Sequence, residues 1–137
     1  MKRYILLFLF TATVFITGCE SMTNFRTEAS VRSQLEGSWS MVPIPRNSPP
    51  EIWTFTSGLI VRKVYDTSGG VTTEEHGTYS VKTTFTSMYV TIDNVPYGSY
   101  ISAKWTIVAL DSQYLTMTQN GGFSEGTGLL QKEFVKK

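Results

Sequence analysis

IWTFTSGLIVRKVY, residues 52–65, sets two apolar runs on either side of a two-residue break. In the first run Trp53 and Phe55 fall on one side of an extended chain, with Ile52, Thr54 and Thr56 on the other. A period of two in β-branched and aromatic residues reads as a strand with one face buried. Ser57-Gly58 supplies a tight turn and Leu59–Tyr65 the returning strand. So short a connection joins antiparallel neighbours only, because a parallel pair needs a long crossover.

The same pattern extends outward in both directions. Upstream, Gly37–Val42 forms a first strand, stopped by Pro43, Pro45, Pro49 and Pro50, which lack the N–H a ladder needs. Downstream, the turn Asp66–Gly70 leads into a strand over Val71–Val81, and Met88–Ile92 follows. A connection containing Pro96 and Gly98 then opens the longest expected strand, Tyr100–Leu110, with Ile101, Ala103, Trp105 and Ile107 on one face. Asp111-Ser112 turns into Tyr114–Thr118, Asn120-Gly121-Gly122 marks another loop, and Leu129–Val135 closes the chain. Asp66, Asp93 and Asp111 all fall at turns, where a carboxylate caps backbone amides. No segment after Gly37 has helical periodicity. The reading is all-β: an antiparallel up-and-down barrel of about eight strands, preferred over a small sandwich because closure removes exposed edges. A barrel of that size is filled by its own side chains or holds one small ligand.

The N-terminus has a different character. Lys2 and Arg3 precede an apolar run from Tyr4 to Ile16, and Thr17-Gly18-Cys19 ends it. The run has the length of a cleaved secretory signal and is short for a membrane span. This string resembles the lipobox of bacterial lipoproteins. The resemblance implies cleavage after Gly18, an S-diacylglycerol on the Cys19 thiol and an N-acyl group on its new amino terminus. It divides the chain into a signal peptide (1–18), a lipidated N-terminus and linker (19–34) and a barrel domain (35–137). Glu20–Arg32 reads as a polar tether, part of it helical, although Phe25, Val31 and Leu35 make no clean stripe. The resemblance places the protein in the bacterial cell envelope, anchored by lipid, with the outer membrane preferred. Lipidation also consumes the one cysteine, so no thiol is left for a disulfide.

From Cys19 onward the chain carries ten basic and eleven acidic residues, with no stretch that concentrates lysine and arginine. Nucleic acid is therefore not an expected partner, since phosphate binding needs a basic footprint. No catalytic set assembles either. Gly122-Phe123-Ser124-Glu125-Gly126 matches the nucleophile-elbow string, but that motif needs a following helix and a later histidine, and the single histidine, His76, comes earlier. Glu74-Glu75-His76 reads as a solvated strand end beside a turn rather than a metal site. The chain is expected not to be an enzyme and to need no cofactor.

At Leu35-Glu36-Gly37-Ser38-Trp39 a Gly-x-Trp element opens the first strand. With Trp53-Thr54-Phe55, Gly77–Val81, Trp105-Thr106-Ile107, Leu115-Thr116-Met117 and a last strand holding Lys132 and Phe134, it resembles the bacterial lipocalin-like lipoproteins. The resemblance implies a barrel in which Trp39 plugs one end under a basic residue, for which Lys132 and Arg26 are the candidates. It also implies a small hydrophobic or amphipathic ligand, with Trp39, Trp53, Phe55, Tyr79, Trp105 and Met117 as the lining. The same aromatics also serve a second reading, in which they only fill the barrel. The loops Pro43–Pro50 and Asn120–Gly128 would then bind an envelope protein. Tyr97, between Pro96 and Gly98, is expected at the barrel rim, and Tyr89 and Tyr100 are expected to be exposed.

Overall fold

The computed structural model describes residues 26–43, 46–120 and 129–137. Among these, eight strands follow one another and each pairs antiparallel with the next. They are β1 (Gly37–Met41), β2 (Glu51–Thr56), β3 (Leu59–Tyr65), β4 (Val71–Thr83), β5 (Met88–Asp93), β6 (Lys104–Leu110), β7 (Tyr114–Asn120) and β8 (Leu129–Lys136). β8 returns to pair with β1, with Ser40 opposite Val135, and the sheet closes on itself. The expected up-and-down barrel is the observed fold.

The hairpin of β2 and β3 has the register its sequence implies: Trp53 lies opposite Arg62 and Phe55 opposite Ile60. Ser57 (φ 50°) and Gly58 (φ 85°) both take positive φ, the conformation that matches a two-residue turn to the twist of its strands. Burial along β2 alternates, with Glu51, Trp53 and Phe55 inside.

Two strand starts differ from the sequence reading, and five strand ends shift by one or two residues. β2 begins one residue early, at Glu51, because that side chain turns into the barrel. β6 begins at Lys104 rather than Tyr100, and β4, with thirteen residues, is the longest strand instead. Residues Tyr100–Ala103 form turns, held by Ser102 N–H donating to Ser99 O at 3.2 Å and Trp105 Nε1 donating to Ile101 O at 3.1 Å. A bulge between Ile107 and Ala109 then shifts the alternation, so Ile107 and Leu110 both face inward.

A helix, α1 (Glu28–Leu35), covers one end of the barrel, here the lower end. Thr27 caps it by accepting Ser30 N–H at 3.2 Å, and Glu28 and Arg32 sit at the ends their charges favour. Val31 and Leu35, four residues apart, are fully buried in the barrel core. The last helical carbonyls find partners in the barrel: Trp39 Nε1 donates to Leu35 O at 2.6 Å, and Lys136 Nζ donates to Gln34 O at 3.1 Å and to Glu36 O. Gly37 makes this junction possible. Its φ is +115°, and a Cβ there would lie 3.0 Å from Lys136 Cε and Nζ.

Candidate functional site

The six side chains expected to line the interior all lie inside the barrel and are between 0% and 5% exposed. Trp53 is their hub. Its ring centroid lies 5.7 Å from Trp105 in an edge-on contact, 5.0 Å from Phe134 and 6.5 Å from Phe55. Phe55 in turn meets Tyr79 edge-on at 5.1 Å. Such offset and edge-on contacts align ring edges with ring faces and add to the gain from burial. Met117 completes the layer without any exposure. Together these residues make a packed floor across the middle of the barrel.

Trp39 lies below that floor, against α1, and closes the lower end. The cation over its ring is Lys136, with Nζ 4.3 Å from the centroid. Neither residue expected in that role occupies it. Arg26 Nη1 is drawn to Leu110 O and to Gln34 Oε1, and Lys132 stands on the other side of the floor beside Met41 and Glu51. The sequence reading missed Lys136 because it ended the last strand at Val135, one residue short.

Above the floor, toward the upper end, the interior becomes charged. Arg62 on β3 donates from Nε to Glu51 Oε2 at 2.8 Å and from Nη1 to Glu75 Oε2 at 2.9 Å. The same Glu51 oxygen accepts Tyr100 OH at 2.6 Å and Trp53 Nε1 at 3.0 Å, which ties the charged layer to the aromatic floor. Ser99 Oγ donates to Glu75 at 3.0 Å. Lys132 on β8 is placed differently. Among the described residues its one ion-pair contact is Glu51 Oε1 at 3.9 Å, and Nζ donates to Met41 Sδ at 3.2 Å. The Tyr100 ring is within reach of both cations, 4.6 Å from the Arg62 guanidinium and 5.0 Å from Lys132 Nζ.

The electrostatics follow from this geometry. Burial pushes the Glu51 carboxyl up, but the bonds from Arg62, Tyr100 and Trp53 outweigh it and hold the group below its ordinary value. Burial works against the charge on Arg62 as well, and its bonds to Glu51 and Glu75 more than restore it. Tyr100 is pushed up by burial and by the Glu51 charge, so its phenol stays neutral and donates. Lys132 goes the other way: burial lowers it, Arg62 lowers it further, and the distant Glu51 offsets only part. This lysine therefore gains from any additional negative charge placed beside it.

Four of these residues carry a signal that sequence parity contains. Glu51 shares its face with Trp53 and Phe55, Arg62 with Ile60 and Val64, Glu75 with Tyr79, and Lys132 with Phe134. Two acids and two bases on inward positions form a balanced set. Reading Glu74-Glu75-His76 as one solvated unit hid this: Glu74 pairs outside with Lys63 at 3.2 Å and with His76 at 2.9 Å, while Glu75 points in. Tyr100 is a correction, since it was expected to be exposed and is instead hydrogen-bonded within the barrel. Tyr97 is fully exposed on the β5–β6 connection at the upper end, and Tyr89 lies under Lys104, with Nζ 3.9 Å from its ring. Cys19, Phe25, Ser124 and the loop residues 121–128 lie outside the described residues. On the outer wall, Arg46–Pro50, Ile52, Tyr65 and Lys137 border a groove of about 870 Å³.

No family model and no curated protein matches the chain. Among solved structures, a lipocalin-like protein from Bacteroides uniformis is similar to it. The two are 14% identical, and the similarity covers 76% of this chain and 98% of that one at a TM-score of 0.45.

Proposed function

We propose that this protein is a binding module of the bacterial cell envelope, a lipocalin-like barrel anchored through lipid on Cys19, whose ligand is a small amphipathic molecule with an anionic head. It acts by binding and not by catalysis, and the outer membrane is its place. The observation that carries the reading is Lys132: a half-buried ammonium above an apolar floor, 3.9 Å from its one ion-pair partner among the described residues. A ligand carboxylate or phosphate at Lys132 would give the ammonium the close counterion that Glu51, at 3.9 Å, does not. Met41, Leu130 and the Tyr100 ring offer apolar contact beside it. Trp53, Phe55, Tyr79, Trp105 and Met117 are in this account the floor on which the ligand rests, and Trp39 is the seal beneath it.

Stability alone is a poor reason for such a layer. Desolvating ions is costly, and apolar replacements of similar volume commonly hold a fold as well or better. Charged groups gathered at one end of a barrel are candidates for recognition. The test is a melting and native mass spectrometry series on the mature protein with dodecanoate and with dodecanol. Dodecanoate is expected to bind and raise the melting temperature, dodecanol to do neither, and Lys132→Met to weaken dodecanoate binding about tenfold or more, the worth of one charged hydrogen bond. Equal behaviour of wild type and Lys132→Met across a panel of anionic amphiphiles overturns the reading.

A second reading draws on the packed floor and the outer groove beside Arg46–Pro50. There the barrel is a filled scaffold whose loops bind an envelope protein. Indifference to every small amphiphile, together with a specific crosslinked partner at that groove, favours this alternative.

A further inference from the structure

Phe85 is 89% exposed at the tip of the β4–β5 turn. The turn itself is well fastened: Thr84 N–H donates to Ser87 O at 2.8 Å, and Thr84 Oγ1 accepts Ser87 N–H at 3.1 Å. A formed turn that holds a phenylalanine almost entirely in water leaves apolar surface that a neighbouring apolar phase gains by covering.

Its place in the fold says what does. The β4–β5 turn is at the lower end, beside α1, where Glu28 Oε1 accepts Thr83 N–H at 3.4 Å. Arg26, the first described residue, lies in the same groove as Phe85, Val108 and Leu110 and donates to Leu110 O. The chain thus enters the barrel next to the exposed phenylalanine. Val108 on β6, Tyr114 on β7 and Leu59 on β3, each more than half exposed, stand near the same end around the barrel rim. Exposed apolar side chains occur at the upper end too, Tyr97 and Leu129 among them. The tether decides between the two ends. Cys19 is seven residues before Arg26, a reach of at most about 25 Å. That is roughly one barrel height for strands of this length, so an anchored Cys19 brings the lower end to the bilayer with slack in the tether and the upper end only with the tether fully stretched.

We infer that the lower end of the barrel docks on the membrane surface, with Phe85 inserted between lipid head groups, Val108 beside it, and Leu59 and Tyr114 elsewhere on the same rim. The inference rests on the lipid anchor at Cys19 proposed above. It adds an orientation: the barrel stands on its sealed end, and the charged mouth faces away from the bilayer. An aromatic ring that reaches the head-group boundary, about 5–10 Å deep, adds apolar burial to the anchor and removes the protein's freedom to tumble on its tether.

The test uses the full lipidated chain in vesicles of phosphatidylethanolamine and phosphatidylglycerol with brominated acyl chains. Phe85→Trp places a reporter at the lower end and Thr67→Trp one at the upper end. Trp39, Trp53 and Trp105 are fully buried, and their emission is subtracted as the wild-type signal. Both positions are exposed, so both variants are expected to fold. The reporter at 85 is expected to shift to shorter wavelength and to be quenched by bromine, and the reporter at 67 to do neither. Vesicle-bound protein whose reporter at 85 emits as in water, or is quenched less than the one at 67, overturns the docking while leaving the anchor standing. Mass spectrometry that finds Cys19 unacylated in the membrane fraction overturns the anchor, and the docking with it.

Discussion

Glu51 holds more of the interior together than any other charged residue described. One of its oxygens accepts from Arg62, Tyr100 and Trp53, so it joins two strands, a loop and the aromatic floor. Glu51→Ala leaves the Arg62 guanidinium buried without its nearest carboxylate, and is expected to cost about 3–5 kcal/mol in urea denaturation. The double variant Glu51→Ala, Arg62→Met is expected to regain only part of that loss, because Glu75 then loses Arg62 and the Tyr100 OH and Trp53 Nε1 still lack their acceptor. A single variant as stable as wild type would mean that the cluster is solvated. The sequence signal for Glu51 was present but easily lost. It stands next to Pro50, at a strand edge, where an acid ordinarily reads as a loop residue. Only the inward parity it shares with Trp53 and Phe55 distinguishes it.

Among the elements, the hairpins were legible because their information is local. Ser57-Gly58 fixes the turn of β2 and β3 through two positive φ angles, and alternation fixes which face is buried. The start of β6 was not legible. Tyr100–Ala103 alternates like a strand but is turned, because Tyr100 bonds to Glu51 forty-nine positions earlier in the chain. α1 was equally hard to place, having only Val31 and Leu35 to bury. A helix that short is marginal in water and forms here by docking and capping. Thr27→Ala removes the cap and is expected to destabilise the protein by about 1 kcal/mol. Amide exchange should rise first in α1 and less in the barrel strands. Uniform acceleration across all eight strands would mean that α1 is part of one cooperative unit with them.

Taken whole, the barrel has a sealed lower end, an aromatic middle and a charged upper end. Closure in sequence order follows from short connections and from the need to leave no edge. The division of the interior into layers follows from where each strand runs out of apolar residues on its inward face. In the proposed reading its consequence is functional: a ligand would meet charge first and stop at the aromatic floor. The most direct measurement is an NMR titration of the isotope-labelled mature protein with dodecanoate. The account expects shifts concentrated at Arg62, Tyr100 and Lys132, with the Trp39 indole and α1 unmoved. Shifts confined to the outer groove at Arg46–Pro50, or none at all, would contradict it.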